Sequence, residues 1–213
     1  MMRHLTSLAL LALAASTGSA IEIAVEAEDF VRQSKDEVRQ WRKTSATEQP
    51  EGLADPDPSH HEGASGGVYL ELLPDTRVTH ADKLENGVSF SNTPGVVGVL
   101  DYQVDFPEAG RYYVWVRAHS TGSEDNGIHV GLNGEWPDSG KRMQWCEGKK
   151  QWWWESKQRT EKAHCGVRYK IYLDVPTAGE HTVSFSMRED GFEFDKFLLT
   201  TERERTRPEG ANP

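Results

Sequence analysis

Three groups of residues in this chain have the types and spacing to do chemistry. The first is Glu26-Ala-Glu28, with Asp29 beside it. On a strand, residues two apart point to the same side, so the two carboxylates would face one point and suit a hard cation held by oxygen. The same pair equally suits a solvated strand edge. The second group is aromatic and basic: Trp115 and Arg117, then Trp136, Trp145, Trp152, Trp153 and Trp154 with Arg142 and Arg159. Sugar rings present polarised C–H faces that pack on indole, and their hydroxyls need planar donors and acceptors nearby. Not every tryptophan can serve, because alternation puts Trp152 and Trp154 on one strand face and Trp153 on the other. The third group is Glu124-Asp125-Asn126 with Arg188-Glu189-Asp190. Arg117 and Arg188 each sit at a strand end that leads into an acidic loop. That arrangement suits a shared ligand, or an arginine–carboxylate network that fixes two loops.

Glu124 or Asp125 with Glu189 is also a candidate acid/base pair for a glycosidic bond, given the right separation. His129, His164 and His181 match no triad or metal spacing, and no G-x-S-x-G, H-E-x-x-H or phosphate-loop pattern occurs. His60-His61-Glu62 lies in a stretch dense in Pro, Gly, Asp and Glu, and reads as a solvated turn rather than a ligand set.

These groups need elements to position them. Gly110 to Ala118 alternates over a full strand length, with Tyr112, Val114, Val116 and Ala118 on one face and Tyr113, Trp115 and Arg117 on the other. Rings and a guanidinium on the second face imply either another packed layer or a ligand face. Further strand signals fall at 21–26, 67–72, 97–106, 128–132, 152–156, 170–175, 181–187 and 192–200. Turn residues separate them at 107–110, 133–134 and 176–179. Residues 27–43 suit a short helical turn or an irregular strand, and 44–66 a long surface loop. Short strands at such intervals predict an all-β sandwich or barrel. The charged segment 201–213 is expected to be a flexible tail.

At 213 residues the chain is long enough for one domain with a core. Arg3, the apolar run Leu5 to Ala15 and the small residues Gly18-Ser-Ala20 read as a secretory signal over 1–20, cut after Ala20. The domain then spans 21–200, in a secreted or periplasmic protein. A net charge of -10 argues against nucleic acid and anionic membranes as partners, and no stretch suits membrane insertion. Cys146 and Cys165, in an exported chain, suggest a disulfide; two free thiols or a metal pair with His164 are the rival readings.

Taken in order, Val25-Glu-Ala-Glu-Asp29, Gly63-Ala-Ser-Gly-Gly-Val-Tyr-Leu70, Gly110-Arg-Tyr-Tyr-Val-Trp-Val-Arg117, Gly179-Glu-His-Thr-Val183 and Phe194-Asp-Lys-Phe-Leu198 resemble the galactose-binding-like carbohydrate-binding modules of families 6 and 35. Arg142-Met-Gln-Trp-Cys146 with Trp152 to Arg159 is similar to modules attached to agarases and other polysaccharide-degrading enzymes. The resemblance implies a jelly-roll β-sandwich and a structural calcium held by Glu26, Glu28 and Asp195. It also implies sugar binding on the concave face, at Trp115 and Arg117, or at the loop edge near Asn126, Trp136 and Trp145. The segment Asn133 to Tyr169 departs from the family pattern and puts the usual loop site in question. The combined reading is a secreted, non-catalytic protein that holds a polysaccharide or oligosaccharide, with other polysaccharide-degrading proteins as possible partners. Its expected contacts are Trp115, Arg117, Glu124, Asp125, Asn126, Trp136, Trp145, Trp154, Arg188 and Glu189. The alternative is a small hydrolase or lyase using Glu124, Asp125 or Glu189.

Overall fold

The computed structural model describes residues 19–34 and 38–212, so nearly all of the expected export segment lies outside the described residues. Among the described residues twelve strands form: β1 (Glu22–Glu26), β2 (Arg32–Gln33), β3 (Gln40–Ser45), β4 (Val68–Leu73), β5 (Leu100–Phe106), β6 (Gly110–His119), β7 (Gly127–Leu132), β8 (Met143–Gln144), β9 (Trp152–Glu155), β10 (Tyr172–Val175), β11 (Gly179–Met187) and β12 (Glu193–Thr200). They build two antiparallel sheets. One has seven strands in the order β10-β6-β12-β4-β3, with β1 also on β12 and β9 also on β6; the other has five, β2-β5-β11-β7-β8. The two sheets face each other as a sandwich, and among the described residues there is no α-helix.

Alternation decides which side chains enter the space between the sheets. Tyr112, Val114, Val116 and Ala118 of β6 point inward, as their spacing requires, and meet Tyr102, Phe106, Val183 and Phe185 from the other sheet. Tyr102, Phe185, Phe194 and Phe197 pack as a ring cluster with centroids 4.9–6.4 Å apart. Each such ring contributes about 1.5–3 kcal/mol by leaving water, so this layer dominates the stability of the sandwich.

One irregularity shapes the outer face of the large sheet. Between Phe194 and Lys196 the β6–β12 register shifts, leaving Asp195 as an extra residue. Such a bulge lets consecutive side chains project to the same side. Asp195 and Lys196 therefore both reach the outer face, where Arg117 also lies.

Residues 27–45 resolve into a 3-10 turn over Ala27–Asp29 and the strands β2 and β3. Two-residue β8 is too short to leave a periodic signal. The tail needs a correction. Rather than fraying, it lies across the outer face of the large sheet: Trp154 Nε1 donates to the Gly210 carbonyl at 2.8 Å and Lys196 Nζ to the Ala211 carbonyl at 2.8 Å. Arg207 stacks 3.5 Å over the Trp153 ring, and Arg205 pairs with Glu22. Its polar composition, read as a sign of disorder, instead supplies the groups that match the sheet.

Cys146 and Cys165 form a disulfide with Cα atoms 5.4 Å apart, tying the start of the long 145–171 connection to its middle. Replacing both cysteines by serine should lower unfolding free energy by roughly 3 kcal/mol, the loop-closure value for this spacing, in urea titration. A change below about 0.5 kcal/mol would show that the connection is held by other contacts.

Candidate functional site

The outer face of the large sheet is organised in rows set by strand register. Directly opposed residues in antiparallel strands share a face. Trp152, His119, Glu193 and Glu71 form the row nearest the loop edge, and Trp154, Arg117, Lys196 and Glu26 the next. Trp115 sits opposite Leu198 in a third.

The third row is closed. Trp115 (8% exposed), Trp154 (2%) and Leu198 form a small apolar cluster. Trp154 is capped by the tail, and Trp115 keeps one edge on a cleft of about 330 Å3 shared with Tyr169, Arg168 and Arg207. Trp145 is fully buried, its Nε1 donating to the Trp153 carbonyl at 3.1 Å. Trp145 is therefore part of the main core, and Trp115 and Trp154 form a second apolar cluster, Trp154 under the tail and Trp115 with one edge on the cleft. Trp136 is half-buried and lies against Gly95 and Gly131, where a Cβ would meet its ring at 2.2 Å and 2.9 Å.

The second row tests the calcium expectation. Arg117 Nη1 binds Asp195 Oδ2 at 2.5 Å, and Ser65 N donates to Asp195 Oδ1 at 2.6 Å. Lys196 Nζ lies 2.6 Å from Glu26 Oε1 and donates to Ser65 Oγ at 3.0 Å. Burial raises the Asp195 carboxyl, an effect that Arg117 opposes. Glu26 Oε2 and Glu28 Oε2 are buried and unpartnered among the described residues. Both Asp195 oxygens are nevertheless committed, and an ammonium already serves Glu26. Arg117 and Lys196 thus pair with Asp195 and Glu26, while Glu28 has no side-chain cation beside it among the described residues. Arg117 is likewise held by Asp195 and by the Gly63 carbonyl at 3.1 Å, so it is an internal strut rather than a ligand contact.

At the loop edge, Asp125 binds its own loop, accepting from Ser120 Oγ (2.9 Å), Thr121 N (2.6 Å) and Gly122 N (3.1 Å). Glu124 is paired with Arg77 and His80. Asn126 donates its backbone N–H to Glu189 Oε2 at 2.9 Å and accepts from Gln144. Burial pushes the Glu189 carboxyl up, with Arg188 opposing. The carboxylates suspected of acid/base work thus each hold a loop in place.

Arg188 is different. It is 6% exposed, yet its Nε and Nη1 have no hydrogen-bond partner among the described residues. Its guanidinium lies 5.2 Å over the Phe90 ring. Arg142, Arg159 and Arg77 are close enough to repel its charge, which together with burial lowers its proton affinity. Arg142 Nε is also unpartnered among the described residues. The edge gathers four guanidinium groups; Glu124 pairs with Arg77, and Glu189 lies beside Arg188.

The first row holds an arrangement that linear spacing does not reveal. His60 Nδ1 lies 2.8 Å from Glu193 Oε1, and His119 Nδ1 lies 3.6 Å from the same oxygen. The two imidazoles stack with centroids 3.6 Å apart. The only sequence signal was that His119 continues the outward face of Trp115 and Arg117. His60 is 133 residues from Glu193, in a loop whose path periodicity cannot give. Around them is an acidic cluster: burial, then repulsion from Glu193, pushes Glu71 up to about 10, and burial with Asp190 pushes Asp75 up to about 7.

No family model matches this chain. It is 61% identical over 179 residues to the uncharacterized protein P23 of Formosa agariphila, a match covering 84% of this chain. The chain spans 43% of that protein's length. The fold is similar to those of solved carbohydrate-binding modules. One is a family 35 module from Paenibacillus barcinonensis (TM-score 0.44, 12% identity, 84% of this chain and 99% of that one). Another is the C-terminal family 6 module of a marine laminarinase from Zobellia galactanivorans (0.42, 14%, 85% and 100%). A third is the family 35-bearing β-1,4-mannanase of Podospora anserina (0.45, 14%, 87% and 28%). These likenesses are distant, and nothing about ligand or site is taken from them.

Two outcomes follow from the rows. Asp195→Ala should cost about 3–5 kcal/mol in denaturant unfolding, because it strands a buried guanidinium. Calcium added to chelator-treated protein should leave the Tm unchanged; a rise would return Glu26 and Glu28 to the role of ligands. Asp75 gives a third. Its raised pKa means the folded state keeps a proton that the unfolded state loses, so its stabilising contribution disappears as pH rises from the usual Asp value toward about 7. Asp75→Asn should therefore lose less stability than the parent chain between pH 5 and pH 8 in chelator-treated samples, followed by urea midpoints.

Proposed function

We propose that this chain binds an anionic saccharide, one bearing carboxylate or sulfate groups, at the loop edge around Arg188, and holds it without cleaving it. The observation that carries the reading is the buried, incompletely bonded Arg188 guanidinium with Arg142, Arg159 and Arg77 around it. A buried charge lacking hydrogen bonds is costly unless something supplies them. A planar or tetrahedral oxyanion matches the guanidinium fork, and two arginines can share one such group. Phe90 and the half-buried Trp136 give apolar surface on the same flank for a sugar ring. Glu124, Asp125 and Glu189 stay in their loop-bracing roles, which favours retention over hydrolysis or elimination. The ligand envisaged is an extracellular polysaccharide or its oligosaccharides, met by an exported protein alongside other polysaccharide-degrading proteins. One site of this size binds weakly and gains from repetition along the polymer.

Affinity electrophoresis through gels containing uronate-rich, sulfated or neutral polysaccharide tests this. Retention is expected in the first two, falling with added salt, and not in the third. Arg188→Met should weaken it by at least tenfold, given about 1.5–3 kcal/mol for a charge-assisted hydrogen bond, without lowering the Tm. Unchanged retention in that variant, or new reducing ends appearing in the retained polymer, would sink the proposal.

A further inference from the structure

We infer that His60, His119 and Glu193 form a site for one divalent transition-metal ion of the zinc class, open on one side to a surface cleft. The inference is independent of the saccharide reading. Three ligand atoms, the two Nδ1 nitrogens and a Glu193 oxygen, lie within 4.8 Å of one another. In a tetrahedral zinc site with bonds of about 2.0–2.1 Å, ligand atoms stand about 3.3 Å apart. The two histidine–Glu193 separations of 2.8 Å and 3.6 Å bracket that value, and the stacked imidazoles turn apart for both lone pairs to reach one ion.

The second line of argument is the state of His119. The residue is 4% exposed, and its Nδ1 has no hydrogen-bond partner among the described residues although it points at Glu193. A buried ring nitrogen with no hydrogen-bond partner, beside a carboxylate and a second imidazole, is placed to serve as a metal ligand. His60 is fixed from behind, because Trp152 Nε1 donates to its carbonyl at 3.0 Å.

Ligand type selects the ion. Calcium prefers six to eight oxygens, whereas two imidazoles with one carboxylate suit zinc, copper, nickel or iron. Asp57, Asp125 and Asp55 act on Glu193 and give the pocket a negative field that favours a dication. Three protein ligands leave a coordination position free. It faces a cleft of about 510 Å3 that His60 and His119 line together with Ser59, Gly63, Lys150 and Trp152.

The test is calorimetric titration of Zn2+ into the untagged, chelator-treated full chain, with bound zinc counted by elemental analysis. One ion per chain is expected. His60→Asn, His119→Gln and Glu193→Gln should each weaken binding by at least about 10–100-fold, the loss that even an outer partner produces. His164→Asn, at an exposed histidine, should bind as the parent does. Co2+ in place of Zn2+ should give a visible spectrum that His60→Asn abolishes. If His119→Gln does not fold, His60→Asn decides alone, since His60 is half-buried on a loop. No saturable uptake by folded protein, uptake unchanged in His60→Asn, or equal competition by Ca2+ would each overturn the site.

Discussion

The extra residue at Asp195 governs how charge is distributed over the large sheet. Phe194 and Phe197 both face the core although they are three residues apart, so without the bulge either Asp195 or Lys196 would have to turn inward between them. With it, Asp195 and Lys196 emerge side by side and meet Arg117 and Glu26 from the neighbouring strands. The resulting chain of two cations and two carboxylates is self-neutralising. It lets β12, the strand that binds β1, β4 and β6, carry buried charge through the middle of the molecule. Ser65 completes the network from the loop before β4, so the 61–67 turns are docked by the same contacts.

The loop edge divides into two electrostatic territories as a consequence. On the large-sheet side, Glu193 lies in register with His119 and Glu71, and the carboxylates crowd until burial holds some of them protonated. On the small-sheet side, Arg188 follows β11 and gathers Arg142, Arg159 and Arg77. The loop stapled by Asp125 lies between, braced by Lys149 on Ser120. Because the chain's net charge is strongly negative, neither territory could be guessed from composition.

Aromatic residues illustrate why type alone misleads. Trp115, Trp145 and Trp154 share the composition of a sugar platform, yet Trp145 and Trp154 are buried and Trp115 keeps only one edge on a cleft. An indole stacks on a C–H face of a sugar and on a proline-bearing tail segment for the same reason, removal of apolar surface from water. What distinguishes the two outcomes is what lies above the ring, and here it is residues 205–211 of the same chain.

The period-2 pattern by itself determined most of the strands, the two faces of β6 and the all-β sandwich, because each strand's alternation is a local record of one buried side. It also marked Arg188 as a strand-end cation, and the spacing of Cys146 and Cys165 indicated the disulfide. Only the tertiary structure decided which outward-facing groups were free. Lys196 meets Glu26 because of a one-residue register change. The tail covered the tryptophans, and His60 came from a loop with no period to meet His119 and Glu193. Local spacing encodes the direction of a side chain; the neighbour it meets depends on chain segments far away in sequence, whose approach no local pattern encodes.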